Sequence, residues 1–415
     1  MRGLELVERR RLKYAATINE EALAEDTDPE YELRYVDIGD VDSSGNVNES
    51  VRYLFADAPT RARRLVRDGD VIISTVRTYL QAIAPIEEPP ANLVVSTGFA
   101  VVRPRPEILD AGFCKYALRE PRFLAEVVMR SVGVGYPVIN PSELGDIRIY
   151  LPLRQLQGAI ANHLDRETAR LDRLVAVKEL VLQLVGDKRR SLISRAVTRG
   201  LDPSAVLRYS GIPWLGEVPA HWDVEQAKWL FRERDERSET GSEELLTVSH
   251  LTGVTPRAEK DVNMFEAETT EGYKICRTGD LVINTLWAWM GAMGISPVAG
   301  IVSPAYNVYS PTGRLEPSFV DALVRIPIFA QEVARHSKGV WSSRLRLYPE
   351  SFFEIGLPVP PFGEQRAIVN HIACKTAKLD ALRAATERTI TLLKERRAAL
   401  IADAVAGRLQ IAEPA

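Results

Sequence analysis

The sequence predicts an α+β protein in which a mixed α/β globular part followed by a long helix occurs twice, as an internal pseudo-two-fold repeat. Three observations carry this. At roughly 150 residues per domain, a 415-residue chain holds two or three cores. Phrases recur at an offset near 208 residues, a domain-sized period. Two proline-free stretches, 154–199 and 363–406, are dominated by helix formers. Hydrophobic residues at 46% and charged residues at 26% supply the apolar surface of a folded protein rather than a disordered one.

The same counts exclude several classes. Cys114, Cys276 and Cys374 are odd in number and far apart, so they offer no disulfide framework and no C-x-x-C pair, and a reducing cytoplasm suits them. The first residues carry charges where a signal peptide has its apolar core. Residues 281–313 are uncharged and long enough to span a bilayer, but Pro297, Pro304, Pro311 and four glycines break a spanning helix. Buried strands and turns are expected there, and no membrane partner.

The first globular part, 1–150, is rich in short apolar runs, prolines and glycines. Its clearest strand follows a polar turn, Gly69-Asp70-Val71-Ile72-Ile73-Ser74-Thr75, and recurs as Gly279-Asp280-Leu281-Val282-Ile283-Asn284-Thr285. Pro121, Phe123, Gly133 and Val134 recur as Pro327, Phe329, Gly339 and Val340, and Leu151-Pro152 matches Leu357-Pro358. A helix over 151–200 follows, with Leu164, Leu171, Leu174, Val181, Val185 and Leu192 near a 3.5-residue rhythm. Residues 201–222 read as a proline- and glycine-broken linker ending in an aromatic anchor. The second globular part, 223–356, precedes a second helix over 357–409, whose stripe is Ile372, Leu379, Leu382, Ile390, Leu393 and Leu400, and a tail over 410–415. About 44 helical residues would run roughly 66 Å at 1.5 Å per residue, enough for a spacer. The obvious partner of each apolar seam is the other copy, although the stripe leaves the direction of pairing open. Gly186 costs about 1 kcal/mol in a helix interior, and a bend or break is expected there.

Net charge is −3, but its distribution is uneven. Residues 154–200 hold ten basic and five acidic side chains and 362–409 hold nine and five, so the helices carry +9 and the remainder −12. Seven acids fall in 20–32, a solvated loop. Nucleic acid would therefore be met by local clusters: Arg61, Arg63, Arg64 and Arg67; Arg103 and Arg105; Arg344 and Arg346 beside Trp341. Each is equally readable as a solvated face. Catalytic motifs are missing: there is no G-x-x-x-x-G-K-[ST] loop, no G-x-S-x-G elbow, no H-E-x-x-H and no Asn-Pro-Pro-aromatic or Asp-Pro-Pro-aromatic tetrapeptide. His163 and His371, at equivalent helix positions, read as polar helix contacts rather than metal ligands.

Several phrases go further. Ile212-Pro213-Trp214-Leu215-Gly216-Glu217-Val218-Pro219 with His221-Trp222, Leu151-Pro152-Leu153 with Gln157, and Leu357-Pro358-Val359-Pro360-Pro361 with Gly363-Glu364-Gln365-Arg366 stand at the starts of the repeated segments. With Gly69 to Ser74, Ser96-Thr97-Gly98-Phe99 and Ile301 to Tyr306, they make the chain resemble, over essentially its whole length, the specificity subunit of type I restriction–modification systems. The resemblance implies two target recognition domains separated by two long antiparallel coiled-coil-like helices. It also implies a protein without catalysis of its own that reads a bipartite double-stranded DNA target. Two methyltransferase subunits bringing S-adenosylmethionine would dock on it and motor-nuclease restriction subunits would join, with no cofactor or metal in this chain. One departure stands out: the second globular part follows the phrase at Trp214 and Trp222, whereas the first has no equivalent.

Readers of base edges should lie just after the repeated strands, because arginine suits guanine, asparagine suits adenine, and aromatics supply apolar contact. The candidates are Arg77, Tyr79, Tyr136 and Asn140 in the first part, and Trp287, Trp289, Ser342, Ser343, Arg344 and Arg346 in the second. The alternative function is a coiled-coil scaffold that bridges proteins without touching DNA.

Overall fold

The computed structural model describes residues 7–42, 45–48, 50–260, 269–339 and 345–409. The chain divides into two compact units, residues 1–179 with 388–415, and residues 180–387. Each is built around a four-stranded antiparallel sheet of the same plan.

In the first unit, strand β1 (Glu8–Arg11) leads to β2 (Ala16–Ile18), β3 (Val71–Ser74), β4 (Ile83–Pro85), β5 (Phe99–Pro104) and β6 (Arg148–Leu151). The sheet order is β2-β5-β3-β4, and β1 pairs with β6. All four residues of β3 are buried, because one sheet face packs on helices and the other on a second sheet, so Val71, Ile72 and Ile73 are apolar in succession rather than alternating. One core joins Val71, Ile73, Ala100 and Val102 to Phe113, Phe123 and Ile149. A separate cluster, Ile72, Val95, Phe99 and Val101, fills the opposite face.

The second unit repeats the plan with β7 (Asp223–Gln226), β8 (Phe231–Arg234), β9 (Leu281–Asn284), β10 (Met293–Ile295), β11 (Tyr306–Pro311) and β12 (Gly356–Val359). Its sheet order is β8-β11-β9-β10, with β7 on β12. The uncharged stretch 281–313 thus consists largely of buried strands and turns, and among the described residues no helix is long and apolar enough to cross a membrane. Three short helices follow the sheet in each unit, and five of the six start with proline in the first turn, at Pro121, Pro141, Pro317, Pro327 and Pro349, where its missing N–H costs nothing.

The long helices are α1 (Arg154–Arg199) and α2 (Phe362–Val405). Within the first unit Arg397 pairs with Asp172 at 2.9 Å and Lys394 with Glu179 at 3.8 Å. Within the second, Arg189 pairs with Asp380, while Ala196 and Val197 share a core with Ile368. In both units numbering rises along one helix as it falls along the other, so the packed segments are antiparallel.

Four expectations need correction. Helix α1 runs unbroken through Gly186, since one glycine's penalty is small beside the hydrogen bonds and packing of the turns around it. Residues 201–222 are folded rather than a linker: Leu207–Tyr209 pairs with Glu217–Pro219, and Trp214, Leu215, Val218 and Trp222 are buried in the second core. Leu151 is the partner of Glu8 and Val359 of Asp223, so Pro152 corresponds to Pro360 rather than Pro358, and the offset of 208 already holds in these strands. Finally, Leu174 and Leu382 are exposed, at 43% and 48%.

The inward rows of the helices are mixed. Leu164, Leu171, Val185 and Ile390 are buried, Val181, Leu192, Ile372, Leu379, Leu393 and Leu400 are half-buried, and Thr168, Thr376 and Thr386, outside the expected stripe, are buried too. Thr168 and Thr386 can sit there because each hydroxyl donates to the carbonyl four residues back, Leu164 at 2.7 Å and Leu382 at 2.8 Å. Gln157 and Gln365, both fully buried, lock the helix starts in the same way. The carboxamide of Gln157 accepts the Asp110 N–H at 2.7 Å and donates to Pro152 and Ile108 carbonyls; that of Gln365 accepts from Glu316 at 2.7 Å and donates to Pro360 and Arg314.

Candidate nucleic-acid interface

In the first unit the chain leaves β3 through Thr75, whose hydroxyl donates to the Gly98 carbonyl at 2.8 Å. Arg77 follows at φ +53° and Gln81 at φ +51°, two non-glycine residues in the left-handed region on either side of a single turn, Thr78–Leu80. That conformation costs roughly 1–2 kcal/mol per residue. It is held by a second loop laid alongside: the Arg77 N–H donates to the Pro137 carbonyl at 2.8 Å, Ile139 N–H to Thr75 at 2.9 Å, and Val138 bridges both Val76 and Val132. The result is to bring the candidates together. The Arg77 guanidinium lies 4.7 Å from the centre of the Tyr136 ring. Tyr136 and Tyr79 are exposed, at 64% and 56%. Asn140, exposed, begins the helix Pro141–Asp146 without a side-chain capping bond. A guanidinium stacked on a ring is oriented while its N–H donors remain free for a planar acceptor pair such as a guanine edge.

The second unit repeats the bonds between the two loops but not the left-handed start of the turn, since Trp287 stands at φ −122°, and its chemistry differs. Thr285 after β9 donates its hydroxyl to Ala305 at 2.8 Å and accepts Leu347 N–H at 3.1 Å, while Lys338 and Arg346 exchange two 2.9 Å backbone bonds. These match the contacts of Thr75, Val132 and Val138. In place of Arg77 stands Trp287, 52% exposed and stacked on Trp289 with ring centres 6.4 Å apart at 17°. The Trp289 indole N–H is already donated to the Leu286 carbonyl at 3.1 Å, so its rings offer apolar faces. Arg346 is exposed 5.7 Å from the Tyr348 ring. Trp341, Ser342, Ser343 and Arg344 lie outside the described residues.

The arginine clusters divide. Arg103 is spent internally: its Nε and a terminal nitrogen each lie 2.9 Å from the carboxylate of buried Asp70, with Glu20 and Glu21 at 3.4 Å, and the hydrogen bonds to Asp70 push its pKa upward. Arg67 is paired with Glu21, and Arg63 lies 4.6 Å from the Phe55 ring. The acidic stretch at 20–32 therefore neutralises nearby cations as well as facing solvent. Exposed Leu80, Leu286 and Met290 flank the candidate residues and were not among those named from sequence, because a search for polar and aromatic groups passes over aliphatic ones. Only their place after an entirely buried strand could have flagged them.

Among the described residues no group of three or more His, Cys, Asp or Glu side chains could hold a metal ion. The thiols of Cys114 and Cys276 are buried, and burial raises both, that of Cys276 to about 11, away from nucleophilic character.

No protein-family model matches the chain, and none of the curated proteins does. Solved structures do. A chain from structural work on complex assembly and conformational transition in the type I restriction–modification system aligns at TM-score 0.78 and 20% identity, over 98% of this chain and 99% of that one. The HsdS subunit of Thermoanaerobacter tengcongensis aligns at TM-score 0.54 and 21% identity, over 98% of both chains. Two β-rich units, two long packed helices and agreement from end to end give one conclusion: this chain is built on the fold of the type I HsdS specificity subunits.

Proposed function

We propose that this chain is the DNA-sequence specificity subunit of a type I restriction–modification complex. The observation that carries the reading is the pair of equivalent loops, placed by equivalent strands and bonds, that present Arg77 stacked on Tyr136 in one unit and Trp287 stacked on Trp289 in the other. A scaffold repeated in backbone and varied in exposed side chains is what two readers of unlike half-sites require. Residues 1–150 and 223–356 are the target recognition domains. Helices α1 and α2 set the separation of the half-sites and dock two methyltransferase subunits, which bring S-adenosylmethionine, and restriction subunits join that core in the cytoplasm. The chain itself performs no chemistry and holds no cofactor.

The test is binding of the chain, assembled with its methyltransferase, to a random pool of DNA duplexes. Two protected patches with a constant gap are expected, with affinity falling steeply as salt rises through phosphate contacts. A complex that keeps its protein partners but protects no DNA would show a scaffold instead.

A further inference from the structure

The turn after the central strand ends on a left-handed residue in both units. In the first, Ser74 N–H donates to the Ala82 carbonyl at 2.9 Å and Gln81 N–H to Thr78 at 3.2 Å; in the second, Asn284 N–H donates to Ala292 at 3.0 Å and Gly291 N–H to Ala288 at 2.8 Å. Gln81 is therefore the counterpart of Gly291. Gly291 stands at φ +89°, which glycine adopts freely, whereas Gln81 stands at φ +51°, where a residue with a Cβ is strained. The second unit has the residue its backbone favours, and the first does not.

Strain alone marks no site. Among the described residues, the non-glycine positions with positive φ are Asn19, Arg77, Gln81 and Glu88. The fold itself uses Asn19, whose Oδ1 accepts the Val101 N–H at 2.9 Å. Glu88 follows β4, and because Pro85 of that strand pairs with Val71 at the start of β3, it lies at the end of the sheet away from the candidate loops. Gln81 differs from both. It is exposed, it ends the turn that Arg77 begins, and no described residue bonds its carboxamide. It also borders a groove of about 580 Å³ whose lining carries Arg119 and, paired with Asp172, Arg397, and positive charge favours the approach of a phosphate backbone. Strain kept at an exposed position whose side chain serves nothing within the unit points to a ligand outside it.

We propose that Gln81 is a base-reading residue of the first recognition domain and that its ligand is an adenine, met in the major groove, where a carboxamide matches the N6–H donor and N7 acceptor of that base. Four residues at a rise of 2.0 Å span about 8 Å, so this adenine lies within about two base-pair steps of 3.4 Å of the base that faces Arg77. Glycine at position 81 would relax the backbone and leave that base unread. This rests on the function proposed above.

The experiment is selection of bound duplexes from a random pool by the chain assembled with its methyltransferase, with the melting temperature measured on the same preparations. The wild type should select an adenine in one half-site that Gln81→Gly no longer selects, with every other position read as before and affinity for the wild-type target lower by at least about fivefold. Placing 7-deazaadenine there, which lacks the N7 acceptor, should weaken the wild type by a similar factor and leave Gln81→Gly unaffected. The melting temperature of Gln81→Gly should rise by about 2 °C as the strain is released. Glu88→Gly should raise it likewise, with base preference unchanged. Three outcomes overturn the adenine contact while the proposed function stands: an unchanged base preference in Gln81→Gly, a loss spread evenly over all sequences, as a phosphate contact gives, or a fall in its melting temperature, which assigns the side chain to packing. A wild-type complex that protects no DNA removes both.

Discussion

Asp70 and Asp280 show one requirement met by two different residues. Each follows the turn glycine before an entirely buried strand, is 1% or 3% exposed, and accepts the N–H three residues back, Arg67 or Arg277, at 2.8 Å. Each also needs a cation, because a carboxylate taken out of water costs several kcal/mol unless paired. Arg103 supplies it from the interior strand β5, and Arg234, at 2.9 Å, from the edge strand β8. The sequence made the Gly-Asp turn legible in both copies. It hid the arginine, since Arg103 and Arg234 do not share the repeat offset and only the folded sheet brings them to the same point. Asp70→Asn or Asp280→Asn should therefore lower stability by about 3–5 kcal/mol, read as a fall in the urea midpoint. Asp187→Asn, which removes an exposed partner of Arg190, should change it by under about 1 kcal/mol.

At the scale of elements, the helices were the most legible feature and their inward faces the least. Freedom from proline over more than forty residues marks a helix without reference to tertiary structure. The choice of inward residue depends on polar groups that satisfy themselves locally, as Thr168 and Thr386 do by bonding the preceding turn. Counting only aliphatic side chains placed Leu174 and Leu382 on the seam, where the structure exposes them. The folded strand pair at 207–219 was hidden for a related reason: prolines and glycines mark turns and linkers alike, and the burial of Trp214 against Phe329, ring centres 5.3 Å apart, is a tertiary fact. Gly186 offers a direct check on helix energetics. It lies in the interior of α1, and a Cβ there would meet nothing nearer than Arg190 Nη1 at 3.7 Å. Gly186→Ala should stabilise the protein by about 1 kcal/mol, seen as a rise in the melting temperature, with DNA protection unchanged.

For the whole molecule, the duplication was visible in sequence, while the geometry of the candidate loops was not, because left-handed Arg77 and its stacking on Tyr136 depend on two loops distant in the chain. If the helices act as the spacer proposed here, removing one heptad from each preserves the inward rhythm and shortens each by about 10 Å. The gap between protected patches should contract by about three base pairs at 3.4 Å per step, with both half-sites read as before; an unchanged gap would refute the spacer. The division of the chain has a further consequence. Residues 180–387 form one unit from continuous sequence, whereas the other joins 1–179 to 388–415. On the ribosome, where domains usually complete in the order of synthesis, the later unit has its whole sequence first. The amino-terminal unit must wait with Leu164 short of its partners until Ile401 and Val405 emerge, and in that interval a chaperone would find its substrate.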